Sequence, residues 1–299
     1  MRHRIPADAL LLVTVLIWSL NFTAVKYALE HGFEPLVYSS VRFAAAALLF
    51  STFTYVREGS LAVSRRDVWI LLVAAGAGIW LNQMGFVYAV DLTSSVATVA
   101  LCFGTLPIFV ALIASLFRVE RLNARVWAAT GVSFAGVALV AAGSSGEIGG
   151  DLGGILLTLA TAATWAAYSV AIGPLMRRYS PYKISAVVLT AGCVPLLASA
   201  SVQLAREDWG GITGLAWAAC VYGFLFALVL TNVFWFTAIE RVGAARSALF
   251  ANLQPFLGAV FALVILSEEL HWLQIAGGGV IGGGILVARR VGAPATVVD

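Results

Sequence analysis

Uninterrupted apolar runs of about twenty residues recur along the whole chain, and nothing else in it constrains the fold so tightly. In lipid every backbone N–H and C=O must be paired within the protein, which leaves helices and closed barrels. The runs lack the alternation of strands, so they are read as helices. Ten segments qualify: residues 8–29, 35–56, 68–90, 93–117, 124–142, 152–173, 182–203, 212–239, 243–266 and 272–289. Composition agrees, with 61% hydrophobic and 11% charged residues, against about 25% charged in soluble domains. A soluble enzyme, a nucleic-acid binder and a disordered chain are thereby excluded. The basic start followed by an apolar run has the form of a signal peptide. No small-residue cleavage site follows it; Asn21, Lys26 and Glu30 come instead, so the run is read as an uncleaved first membrane helix.

The charges sort by side. When the connections are numbered alternately, fifteen of the eighteen Lys and Arg fall on one side and Arg206 alone on the other, while Lys26 and Arg42 lie within spans. The positive-inside rule places the first side, with both termini, in the cytoplasm. A missed or invented span would scramble that alternation. Cys102, Cys193 and Cys220 lie in apolar runs without metal-ligand spacing, and are read as small buried residues.

The chain also repeats itself. Pro107 and Pro255, Glu120 and Glu268, and Gly131 and Gly279 are each 148 residues apart; Trp18 and Trp165 are 147 apart, and Pro35 and Pro181 146 apart. A nearly constant offset divides the chain into residues 1–145 and 146–299, with five helices in each. Five is odd, so the second copy is inverted in the membrane. The expected fold is an all-α polytopic membrane protein of ten transmembrane helices, in two inverted five-helix repeats with cytoplasmic termini. Such halves can expose a midplane site first to one side and then to the other.

The residues that carry these signals also carry a resemblance. The stretch W-S-L-N-F-T-A-V-K at 18–26 with Pro35 and Arg42, then Ser247 through Pro255, S-E-E-L at 267–270 and the glycines of 277–284, resemble the drug/metabolite transporter superfamily of EamA type. The resemblance covers nearly the whole chain in two copies. It implies ten helices, an inverted repeat, and export of small metabolites or amino acids across a bacterial plasma (inner) membrane. The aromatic first helices are similar to those of aromatic amino acid exporters.

Groups that could line a site are those whose polarity or shape is unusual at membrane depth. Trp18 and its repeat mate Trp165 are expected to face one central cavity, with Phe22, Trp80, Phe103 and Tyr168 adding aromatic surface. Asn21, Asn82 and Asn252 offer amides to a zwitterion or, equally, to a neighbouring helix. Lys26 is either a contact for a substrate carboxylate or gate, or a lysine snorkelling to the headgroups. Arg42, two turns into the second span, is expected in an ion pair with Glu30 or Glu34. Pro107 and Pro255 interrupt helices and are read with Lys26 and Arg42 as gating or coupling positions. The glycines of 277–284 read as close helix packing rather than a phosphate cradle.

No Asp, Glu or His stands near the centre of a span, so no carboxylate relay and no nucleophile–base pair is visible there. The expectation is therefore not an enzyme: no catalytic residue, no metal site and no cofactor. The function expected is secondary export by alternating access of amino acids, aromatic or other neutral ones. Export of other apolar metabolites or drugs, or a lipid flippase or scramblase, are the alternatives. The partners expected are a small-molecule substrate and the bilayer, with no nucleic acid; a monomer suffices.

Overall fold

The computed structural model describes residues 6–117, 124–143, 152–242, 250–251 and 253–289. Regular structure among them is helical throughout. The helices are α1 (Ala7–Glu30), α2 (Pro35–Glu58), α3 (Arg65–Ala75), α4 (Asn82–Leu92), α5 (Val96–Phe103), α6 (Leu106–Leu116), α7 (Ala124–Gly143), α8 (Leu152–Ile172), α9 (Pro181–Arg206), α10 (Gly214–Phe224), α11 (Thr231–Val242), α12 (Gln254–Ile265) and α13 (Trp272–Arg289). Local chemistry sets their starts. Pro35 and Pro181 open α2 and α9, where the missing N–H is not needed. Ser95, Ser180 and Thr213 cap α5, α9 and α10 by accepting from the amides of Thr98, Lys183 and Ala216.

Seven continuous helical stretches among the described residues are long and apolar enough to cross a bilayer: Ala7–Glu30, Pro35–Glu58, Arg65–Leu92, Val96–Leu116, Leu152–Met176, Pro181–Arg206 and Gly214–Trp235. A 24-residue helix is about 36 Å long, against a hydrocarbon thickness of about 30 Å. Shorter apolar helices cover Thr130–Gly143 and Gln254–Ile265. The early part of the expected ninth span, residues 243–249 and 252, lies outside the described residues.

Helices at equivalent places in the two half-chains pack against each other in opposite directions. The start of α2 meets the end of α9, where Leu36 N–H donates to Gln203 Oε1 at 2.8 Å and Glu34 N–H to Glu207 Oε2 at 3.3 Å. The end of α2 meets the start of α9, where Thr54 donates to the Tyr182 carbonyl at 3.3 Å, and Glu58 accepts from Ser180 and pairs with Lys183 at 3.4 Å. α7 and α13 likewise cross antiparallel. Their backbones touch at Gly136 and Gly277, where a Cβ on Gly277 would lie 2.6 Å from the Gly136 carbonyl oxygen. Only glycine admits that approach.

Two further features repeat. A π-helical turn at Gly76–Leu81 joins α3 to α4, and another at Leu225–Leu230 joins α10 to α11. The first packs on α8 and α9, the second on α1 and α2. The helix expected at 93–117 breaks at Gly104–Thr105 into α5 and α6. Pro107 and Pro255 therefore do not bend helix interiors. Each stands in the first turn of a new helix, α6 or α12, the one place where its lost donor leaves no bond unmade.

Several connections that the charge alternation assigns to one side touch one another. Segments expected outside touch one another, with Thr213 N–H on the His31 carbonyl and Glu268 on Ser95. Segments expected inside do the same, with Arg178 and Tyr179 on Asp67. Apolar packing forms two main clusters, one around Phe22, Val37, Val99 and Ala216, the other around Phe43, Leu71, Ile184 and Leu196.

Candidate functional site

Arg42 lies where those clusters meet: Tyr38 belongs to one and Phe43 to the other. It is 2% exposed. Nη1 donates to Asn21 Oδ1 at 3.1 Å and Nη2 to Gln83 Oε1 at 2.8 Å. The guanidinium carbon stands 5.1 Å from the Tyr38 ring centroid and 5.3 Å from that of Phe43. The expected ion pair with Glu30 or Glu34 is not formed, and among the described residues no carboxylate lies within 4.0 Å of Arg42. The reason is geometric: Glu30 ends α1 and Glu34 caps α2 about two turns before Arg42, and Glu30 is taken by Lys26.

The amides around Arg42 are joined in a chain. Gln83 Nε2 donates to Asn82 Oδ1 at 3.1 Å, and Asn82 Nδ2 donates to the Thr161 carbonyl at 2.9 Å and to Thr164 Oγ1 at 3.2 Å. Asn21 and Asn82, each read as an amide for a zwitterion or for a neighbouring helix, are thus members of one network running from α1 through α2 and α4 to α8. The π turn ends just before Asn82, which reaches α8, and Gln83, which reaches Arg42. Gln83 and Tyr38 complete the site. Tyr38 could have been found in the sequence, since it precedes Arg42 by one helical turn.

Lys26 is held at the end of α4. Nζ donates to the carbonyls of Val90 at 3.3 Å and Thr93 at 3.1 Å and pairs with Glu30 at 3.6 Å. It closes the C-terminal end of α4, whose last carbonyls lack intrahelical donors and carry the negative end of the helix dipole.

The aromatic residues divide. Trp18 Nε1 donates to the Ala227 carbonyl at 3.0 Å and to Thr231 Oγ1 at 2.9 Å, and its ring lies 5.2 Å from that of Trp235. Trp165 lies 5.2 Å from Tyr168 on its own helix. The two repeat mates therefore have different ring neighbours. Tyr168 packs so closely on the first π turn that a Cβ on Gly78 would stand 2.3 Å from its Cγ. Phe22 is buried and meets Phe86 and Phe103 edge-on at 5.6 and 5.9 Å. Trp80, within the first π turn, donates to Ser199 Oγ at 2.9 Å. Asn252 and the side chain of Pro107 lie outside the described residues.

Two more contacts tie the halves at the face carrying Glu34 and Glu268. Glu268 follows Ser267, whose backbone is left-handed at φ 55°. Its carboxylate accepts from Ser95 Oγ at 2.8 Å and from the amides of Val96 at 2.7 Å and Ala97 at 3.1 Å, capping α5 from the other half-chain. Glu207, 8% exposed, accepts from the Glu34 amide through Oε2, and its Oε1 has no partner among the described residues. Burial pushes its carboxyl above the usual carboxylate range; the Glu34 amide opposes that rise, and the nearby charges of Glu34 and Asp208 add to it.

Comparison with known proteins agrees with this architecture. The profile of the EamA-like transporter family matches residues 5–142 and again 152–290. A probable terminal-alkyne amino-acid exporter of Streptantibioticus cattleyicolor is 27% identical, over 94% of this chain and 92% of that protein. A probable amino-acid metabolite efflux pump of Salmonella typhimurium is 24% identical over 93% of each. One crystal structure, at 19% identity, superposes with a TM-score of 0.66 over 96% of this chain and 98% of its own, which speaks for the fold alone.

Proposed function

The chain belongs to the EamA-like transporter family, and from that premise we propose that it is a secondary carrier exporting small metabolites, amino acids foremost, by alternating access. The observation that carries this reading is the antiparallel packing of repeat-related helices, α2 on α9 and α7 on α13. Two units, residues 1–145 and 146–299, then form an inverted pair of five spans each, with both termini in the cytoplasm of a bacterial cell. Such a pair has two equivalent arrangements of similar energy, each opening the middle to one side. The relatives named for amino-acid export support the substrate class. The network from Asn21 to Thr164 supplies the polar wall and Trp18, Phe22, Trp80, Phe103, Trp165 and Tyr168 the apolar one, with Asn252 as a further amide. Arg42 couples the two walls. Lys26, Pro107 and Pro255 stand at ends and breaks that shift when the middle opens.

A carrier fits better than a lipid flippase. The lateral groove between α2 and α9 is lined by Ala44, Leu48, Val194 and Leu197, with Ser51 and Thr190 as its polar members. It lacks the charged furrow that a headgroup needs.

The test is counterflow of labelled phenylalanine or tryptophan into liposomes carrying the purified chain, without any imposed ion gradient. Saturable uptake competed by other amino acids is expected. Trp18→Ala and Trp165→Ala should each lower it by about tenfold, the loss of a stacking contact, while the variants remain folded. Flux no greater than in empty liposomes across a panel of amino acids ends the reading.

A further inference from the structure

Among the described residues, Lys26 and Arg42 are the two cations that lie inside spans rather than within a turn of their ends, and they are treated differently by the fold. Lys26 has a carboxylate and two helix-end carbonyls. Arg42 is almost wholly buried and has only neutral amide oxygens, on two of its five N–H groups; its Nε is without a partner among the described residues. An unneutralised ion is among the most unfavourable things a protein can bury, and in known folds it is compensated by an opposite charge. No side chain among the described residues supplies that charge.

A second group beside it is also unmatched. The Tyr38 hydroxyl is fully buried, interacts with the Arg42 guanidinium beside it, and completes no hydrogen bond of full geometry among the described residues. It converges with Arg42 on the bare backbone of Gly223: a Cβ there would lie 2.7 Å from Arg42 Cδ and 2.9 Å from Tyr38 Oη. Tyr38 Oη and, at 3.5 Å, Arg42 Nη1 thus both come close to one point of α10 that carries no side chain. The repeat does not demand this. At the offset that relates Pro35 to Pro181, the counterpart of Arg42 is Val188, so one half folds without the charge. A planar cation with free N–H groups beside a hydroxyl is the donor set that a carboxylate accepts from.

We propose that Arg42, with the Tyr38 hydroxyl, seats the carboxylate of the transported substrate, which supplies the negative charge that the fold omits. This rests on the carrier reading above, and it assigns the pole of the substrate that is recognised. Asn21 and Gln83 hold the guanidinium in place when the seat is empty and hand N–H groups to the substrate when it arrives. Substrates with a carboxylate, zwitterionic or anionic, are then carried, and amines or amides of the same shape are refused.

The test uses matched probes on the full chain: phenylalanine, 3-phenylpropanoate, phenylalaninamide and phenethylamine, as competitors of counterflow and as ligands in thermal unfolding. The two carboxylates should compete and raise Tm, with the amide and the amine at least about tenfold weaker, the size of one lost charge-assisted hydrogen bond. Arg42→Gln should abolish that preference, and Arg42→Lys should keep part of it. Should Arg42→Gln not fold, the ranking of probes on the unmodified chain, together with Tyr38→Phe, decides the matter. Equal competition by acid and amide, or a preference for acids that survives Arg42→Gln, overturns the assignment. A chain without counterflow fails the carrier reading separately. Unfolding then still reads the seat, using acetate and glycine against chloride at equal ionic strength, and no shift by any carboxylate overturns it.

Discussion

Among single residues, the buried glutamate at the end of α9 is one whose charge state the fold disfavours. Glu207 holds the start of α2 through the Glu34 amide while one of its oxygens has no partner among the described residues. Burial raises its carboxyl above the value it has in the unfolded chain. Between those two values the folded protein binds more protons than the unfolded one, so stability falls as pH rises through that interval and is level above it. Glu207→Gln, which keeps an acceptor for Glu34 and removes the charge, should flatten this dependence and raise Tm at neutral pH. Unfolding scans at several pH values on both proteins check it; a parallel pH profile in the variant would assign the dependence elsewhere. At this scale the sequence is legible in part. Arg42 and Lys26 stand out as charges within apolar runs. Their partners do not, because Gln83 and Val90 are 41 and 64 residues away in the chain, and only the packing of α1, α2 and α4 brings them within reach.

Among elements, the membrane makes helices easy to read and their irregularities hard. Length and apolarity mark the spans because lipid tolerates nothing shorter or less paired. A π turn leaves no such mark, since its extra residue is retained by the neighbours it packs on rather than by propensity. The same holds for the break at Gly104–Thr105. The prolines announce an interruption, but not that it falls just before them. The first π turn can be removed by deleting Gly76, around which there is open space. The regular helix that results rotates everything on one side of the deletion by about 100° relative to the other, and turns Asn82 and Gln83 away from Arg42. Counterflow should fall by about tenfold or more, as a charged hydrogen bond is lost, with helix content by circular dichroism unchanged. Retained counterflow would show that the turn does not position the network.

For the whole molecule, the charge bias and the repeat offset predict which connections share a face, and the contacts of Thr213 with His31 and of Arg178 with Asp67 each join two connections assigned to one face. A cysteine placed at Gly146 in a chain lacking its native cysteines should be labelled by an impermeant maleimide from outside the cell, and one placed at Gly59 only after the membrane is opened. The reverse pattern would invert the topology. The two half-chains are not alike in the charge they place inside the spans, because Arg42 has no counterpart in the second half, where Val188 stands. A lone positive charge inside the hydrocarbon sits part-way down the electrical potential of the membrane, where each elementary charge is worth about 2.3 kcal/mol per 100 mV. A cycle that re-exposes the empty seat moves that charge through the field. A monoanion cancels it on loading, whereas a zwitterion brings its own positive group and leaves the total unchanged. With the proposed seat the chain would be a voltmeter for its cargo: the vacant and zwitterion-loaded forms would feel the cell's negative interior, and the anion-loaded form would travel blind to it.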